Sequence, residues 1–229
     1  TLGTTNLRFG DNDSGKFTYI SPRFAGFQLG ASYIPQFEAG GDDNSSVYKA
    51  RIAGVTVVDQ TRDGVAVGAN FTEDFNGFGV QLSLGWLGAK TSGEDLSAAN
   101  AGAQFSFAGF SVGGAYVKAW DGTQSTDATG NELRTAEGYG WTAGGTYETG
   151  PYKIGITYQY GENEGIRGSS GKPELEQANI SGTYQFGPGV RLVGGFFAYD
   201  QQTQGRSDGV TAGWDNKGWG FASGIKLGF

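Results

Sequence analysis

The sequence predicts an all-β fold, an antiparallel transmembrane β-barrel, on three observations. Apolar residues recur at every second position through segment after segment. Tight turns alternate with long polar loops. No apolar run approaches the ~18–20 residues that a membrane-spanning helix needs. The 229 residues include 43 Gly, and only 37% of the chain is hydrophobic. Bulk composition therefore looks water-soluble. Alternation removes the conflict, because half of each barrel strand faces water and half faces lipid.

Eleven strands are expected, near 15–23, 26–35, 64–72, 77–88, 98–107, 109–120, 138–149, 151–161, 175–186, 189–200 and 217–229. The alternation is clearest from Phe78, where Phe78, Val80, Leu82, Leu84 and Trp86 oppose Gly79, Gln81, Ser83 and Gly85. From Tyr152, the set Tyr152, Ile154, Ile156, Tyr158 and Tyr160 opposes Lys153, Gly155, Thr157 and Gln159. Ala178, Ile180, Tyr184 and Phe186 oppose Asn179, Ser181, Thr183 and Gln185. In the last segment Trp219, Phe221, Ile225, Leu227 and Phe229 oppose Gly220, Ala222, Gly224, Lys226 and Gly228.

Five connections are tight and flanked by aromatics. They are Phe24-Ala25-Gly26-Phe27, Phe75-Asn76-Gly77-Phe78, Phe107-Ala108-Gly109-Phe110, Tyr147 to Tyr152 through Gly150-Pro151, and Phe186-Gly187-Pro188-Gly189. The connections 36–63, 121–137, 162–174 and 201–216 are long, polar loops. Short turns on one side and long loops on the other describe an outer-membrane barrel, turns in the periplasm and loops outside. The aromatics at the turns form its lower interfacial girdle. Trp86, Trp120, Trp141, Trp214 and Trp219 read as interfacial belt residues.

The large apolar set is expected to face lipid. The other set is too small and polar to fill a dry interior, as a soluble barrel would require. It reads as the wall of a wet lumen.

Composition excludes several functions. The chain has no His and no Cys, so Ser-His-Asp hydrolysis and His-built zinc sites fall away. An outer-membrane lipase would need the His as well, and no enzyme is expected. The formal charge of −7 argues against a nucleic-acid partner. Position 1 is not Met and no signal segment is visible, so a processed or truncated product is expected. Eleven strands would leave an unpaired edge in a closed antiparallel barrel. Residues 1–10 alternate poorly, so upstream strands are expected. At about 21 residues per strand, a sixteen-stranded barrel takes roughly 330 residues.

The stretch Lys16-Phe17-Thr18-Tyr19-Ile20-Ser21-Pro22-Arg23-Phe24-Ala25-Gly26-Phe27-Gln28-Leu29-Gly30-Ala31-Ser32-Tyr33 resembles the general-diffusion porins of Gram-negative bacteria. There a similar hairpin follows the constriction loop. The closing Gly224-Ile225-Lys226-Leu227-Gly228-Phe229 resembles the C-terminal assembly signal of the same proteins, a terminal Phe read by the barrel-insertion machinery. The resemblance implies one porin-type domain over residues 1–229, corresponding to the C-terminal eleven strands of sixteen. It also implies a homotrimer in contact with outer-membrane lipid and lipopolysaccharide. No cofactor, metal or energy source is implied.

On the polar face, Lys16, Lys153, Arg191 and Lys226 are the candidate pore-lining residues. A lysine or arginine on the lipid face near mid-membrane would cost roughly 2–4 kcal/mol. In the family, the resemblance implies, such a basic wall opposes acids on the inward loop and orients polar solutes. Arg8 and Arg23 lie near strand ends, with their facing open. Lys118 falls on the apolar side and is expected to snorkel to the rim. Asp11-Asn12-Asp13-Ser14-Gly15 opens like a calcium loop, but Pro22 stands where the bidentate Glu is needed, so it reads as polar loop. Asp42 and Asp43 read as outer-surface residues, with bridging to lipopolysaccharide through divalent cations as the other reading. The apolar stretch Val47 to Val58 fits a strand extension, a subunit contact or a loop folded into the lumen.

The function expected is passive diffusion of small hydrophilic solutes and ions. A substrate-selective porin is the alternative among channels. Its sugar-specific form would line the lumen with aromatics, and only Phe197 and Tyr199 face inward. A non-conducting surface anchor or adhesin is the alternative from another class.

Overall fold

The computed structural model describes residues 15–36, 62–91, 94–121, 123–126, 132–135, 137–164, 171–202 and 215–228. The strands are β1 (Phe17–Ile20), β2 (Phe27–Gln36), β3 (Arg62–Phe75), β4 (Phe78–Lys90), β5 (Leu96–Phe107), β6 (Phe110–Asp121), β7 (Thr123–Thr126), β8 (Glu132–Thr135), β9 (Gly138–Thr149), β10 (Tyr152–Asn163), β11 (Glu174–Gly187), β12 (Val190–Gln202) and β13 (Asn216–Leu227). Eleven of them form one antiparallel sheet in the order β1-β2-β3-β4-β5-β6-β9-β10-β11-β12-β13. Sequence neighbours are spatial neighbours throughout, and β1 and β13 are the sheet's edges. No helix occurs among the described residues.

All eleven expected strands are present, most with ends shifted by one or two residues, two with larger differences of extent, and one element is added. The expected strand 15–23 is cut to Phe17–Ile20. Pro22 has no N–H to give the ladder, although Ser21 N still donates to Leu29 O at 2.9 Å. The strand expected at 64–72 runs from Arg62 to Phe75, carrying Glu73 and Asp74 toward its turn. The connection 121–137, expected as plain loop, contains the two-stranded hairpin β7–β8. Its sequences, TQST and ELRT, show no apolar alternation. A ribbon paired only to itself has no apolar face to bury, so periodicity gave no warning of it.

The tight turns fix the register. Ala25 and Gly26 have φ of 46° and 81°, Asn76 and Gly77 of 56° and 89°, Ala108 and Gly109 of 50° and 83°. Two successive positive φ values make the type I′ turn, whose twist matches that of the flanking strands. Gly109 has no alternative, because a Cβ there would strike the carbonyl oxygen of Glu148. Pro188-Gly189 closes the fifth hairpin, with φ of 75° at Gly189. At the other end of β3, Asp63 takes a φ of 51° where the pairing with β4 slips between Arg62 and Val65. The result is a wall with a turn end and a loop end.

Candidate functional site

The register sorts side chains onto two faces. Phe78, Val80, Leu82, Leu84 and Trp86 of β4 pair with Phe107, Phe105, Ala103, Ala101 and Ala99 of β5. Gln81 pairs with Gln104 and Ser83 with Gly102 on the opposite face. The apolar face stands open: Leu84 is 64% exposed, Ile156 58% and Phe221 68%. Aromatics gather at its turn end, where Phe27 and Phe71 lie 4.7 Å apart and Phe110 and Tyr147 4.2 Å. Trp86, Trp120, Trp141 and Trp219 sit on the same face toward the loop end. Trp214 lies outside the described residues. Lys118 is on this apolar face, its Nζ 5.9 Å from the Trp120 ring centroid.

The four candidate lysines and arginines do not form one cluster. Arg191 and Lys226 are direct cross-strand partners on the polar face, near the turn end. Lys153 is on the same face two strands away, opposite Thr183, and its Nζ lies 3.0 Å from Glu148 Oε2. Lys16 precedes β1, outside the ladder, across the sheet from the others. Phe229, the candidate assembly signal, Arg8, Asp11, Asp42, Asp43 and Val47 to Val58 all lie outside the described residues.

Arg23, whose facing the sequence left open, reaches toward the polar face. Its guanidinium donates to Gly26 O at 2.5 Å, to Gln28 Oε1 at 3.2 Å and to Asn70 Oδ1 at 2.6 Å. Gln28 and Asn70 are themselves cross-strand partners. Further along, Gln159 Nε2 donates to Gln177 Oε1 at 2.8 Å and Gln177 Nε2 to Asn179 Oδ1 at 3.2 Å. These amides and hydroxyls are the groups a water-lined wall needs. Phe197 and Tyr199 share the face, lying over Gly220 and Gly218, whose missing Cβ atoms leave room for the rings.

Two departures from the expected faces stand out. The polar face turns apolar at the loop ends of β2 to β6. Ile34 and Ala119 are 0% exposed, Ala98 1%, Val117 5%, Ala89 6%, Leu96 8% and Leu87 9%. Pairing places them together, Leu87 opposite Ala98, Ala89 opposite Leu96 and Ala98 opposite Ala119. The signal was in the sequence as doubled apolar residues, Tyr33-Ile34, Trp86-Leu87 and Tyr116-Val117, where strict alternation fails. The apolar face, in turn, carries acids at the loop ends of β10 to β12. Glu162 pairs with Glu174 and Glu176 with Asp200. Lys172 holds Glu162 at 2.8 Å and Glu164 at 2.6 Å, and Lys217 holds Asp200 at 2.7 Å. The Lys172 ammonium is raised above the ordinary lysine range, chiefly by its hydrogen bond to Glu162 and then by that to Glu164.

A continuous antiparallel meander with one apolar face, aromatic bands and a polar opposite face defines the class: the wall of a transmembrane β-barrel. Within that class the chain belongs to the Gram-negative porins of the outer membrane, the family whose profile matches residues 1–205. Among solved structures it is similar to the anion-selective porin from Comamonas acidovorans, at 12% identity and a TM-score of 0.56, over 94% of this chain and 58% of that one. It is similar to outer-membrane expressed OmpT of Vibrio cholerae at 15% identity and a TM-score of 0.61, over 99% of this chain and 69% of that one. The match to Salmonella typhi OmpF, solved in complex with daunomycin, has 14% identity and a TM-score of 0.57, over 93% and 61%. At these identities the likeness is one of fold. The chain spans 58% to 69% of the length of these three structures. No curated protein sequence matches it.

Proposed function

We propose that this chain is one porin-type domain over residues 1–229, forming the wall of a water-filled channel through which small hydrophilic solutes and ions diffuse passively. One observation carries the reading. The same register that exposes Leu84, Ile156 and Phe221 on one face lines the other with Gln, Asn, Ser and Thr side chains that bond to one another. A bilayer tolerates the first face and a hydrated pore the second. Lys153, Arg191 and Lys226 stand in that pore wall, and solute sorting follows from their charge. Lys16, just before β1, is assigned to the same lumen. The family supports assembly as a homotrimer in outer-membrane lipid. The carboxylates and lysines at the loop ends of β10 to β13 suit the charged headgroups of lipopolysaccharide. Phe229 is proposed as the contact for the barrel-insertion machinery.

The test is conductance of the protein extracted in detergent from its native membrane, with its intact mass measured on the same sample. Stepwise, ohmic conductance in planar bilayers and solute-size-dependent swelling of liposomes are expected. A protein that inserts, protects its strands from protease and yet passes neither ions nor sugars would overturn the channel in favour of a closed surface anchor.

A further inference from the structure

The chain is acidic overall, but the polar face is not. Of the strand carboxylates, Glu73, Glu162, Glu174, Glu176 and Asp200 are on the apolar face by register. Away from the register slips at Asp63 and Asp121, the polar face of the described main-sheet strands holds only Asp74 and Glu148, both at the turn end. Asp74 Oδ1 accepts from Gly77 N at 2.7 Å inside its own turn. Glu148 is engaged by Lys153. From β11 to β13 the face carries Gln177, Asn179, Ser181, Thr183 and Gln185, then Arg191 and Lys226, and no carboxylate at all. Arg191 and Lys226 nevertheless stand directly opposite each other. Like charges so placed destabilise a strand pair. They become favourable when an anion binds between them, because a guanidinium offers a planar fork and an ammonium a point charge to the same oxyanion.

We propose that Arg191 and Lys226 form a binding site for small free oxyanions of the phosphate class at the turn end of the pore wall, giving this acidic chain an anion-preferring lumen. The inference rests on the reading of the polar face as a wet lumen. The pair above the site is Val193 and Gly224, and the next is Gly195 and Ala222. Short side chains there leave the two cations open to the face, and a Cβ on Gly224 would meet nothing within 4 Å. Gln185 on β11, directly opposite Arg191, supplies a neutral neighbour.

Binding of inorganic phosphate to the detergent-extracted protein, followed by titration calorimetry at low salt, tests the site. Wild type is expected to bind saturably. Arg191→Gln and Lys226→Gln each weaken binding about tenfold, the worth of one charge-assisted bond. The double variant loses binding, Arg191→Lys retains part of it, and Lys118→Gln on the other face leaves it unchanged. No saturable binding by wild type, or equal binding by the double variant, overturns the site. A carboxylate elsewhere in the barrel that already satisfies the pair would give the first of these outcomes. Because the chain has no Cys, single cysteines report the faces separately. Gly224→Cys labelled in liposomes by a charged maleimide, with Gly182→Cys on the apolar face protected, keeps the lumen reading even if phosphate fails to bind. The reverse labelling pattern defeats the lumen and the anion site together.

Discussion

Set side by side, the two halves of the sheet use the same register for different ends. In β2 to β6 the loop-end portion of the inner-assigned face is packed and dry, with Ile34, Leu87, Leu96 and Val117 at most 9% exposed. In β10 to β13 the corresponding surface carries the Gln159–Gln177–Asn179 chain of amides beside Phe197 and Tyr199, while β9, with Thr142 2% exposed, goes with the dry half. Among the described residues only the second half carries paired carboxylates on its apolar face, Glu162 with Glu174 and Glu176 with Asp200. A barrel wall is therefore not one alternating pattern repeated around a circle. One sector is packed and dry on its polar face, and the other is open on that face and carries ion-paired acids on the apolar one.

A lysine scan breaks or confirms that division most sharply. Leu87→Lys buries a charge with no partner and is expected to cost on the order of 3–5 kcal/mol. Thr157→Lys, on the same face in the wet sector, is expected to change stability by less than about 0.5 kcal/mol. Urea midpoints in detergent measure both, and equal costs would erase the distinction between the sectors. Next in size, Ile156→Lys on the apolar face is expected to lose roughly 2–4 kcal/mol in lipid. The cost should shrink when the same protein is unfolded from a short-chain detergent that lets water reach the wall.

A smaller effect sharpens the comparison from within the wet sector. Gln177→Ala removes one hydrogen bond given and one accepted. If water replaces the lost partner, the cost is about 1 kcal/mol or less; a dry wall would charge up to about 3 kcal/mol for each stranded group. The smallest expected change is a gain. Ala108 sits at φ 50°, the conformation Asn76 adopts in the equivalent turn. Ala108→Asn should raise stability by roughly 0.5–1 kcal/mol, since Asn tolerates the left-handed region that Ala resists.

What the sequence disclosed and what it concealed divide along physical lines. Strands that cross lipid must alternate, and Ala-Gly and Asn-Gly turns flanked by aromatics must be two residues long, so all eleven main-sheet strands could be read. The hairpin β7–β8 could not, because pairing alone leaves no hydrophobic signature. Arg23 was undecidable for the opposite reason. Its position follows Pro22, beyond the ladder, and its contacts to Gln28 and to Asn70, 47 residues away, fix where it points. The pairing of Arg191 with Lys226 is intermediate. The facing of each was legible, but their juxtaposition depends on the length of the 201–216 connection and the register beyond it.

The strictly sequential strand order has an evolutionary consequence. Since, among the described residues, every strand of the main sheet pairs only with the main-sheet strands next to it in the chain, the hairpin is the quantum by which such a wall can change its circumference. Duplicating or deleting one hairpin leaves every other pairing, face and turn as it was. On the proposed channel reading, pore bore is then an inherited variable that shifts in steps of two strands without redesigning the rest, whereas selectivity is retuned one inward side chain at a time.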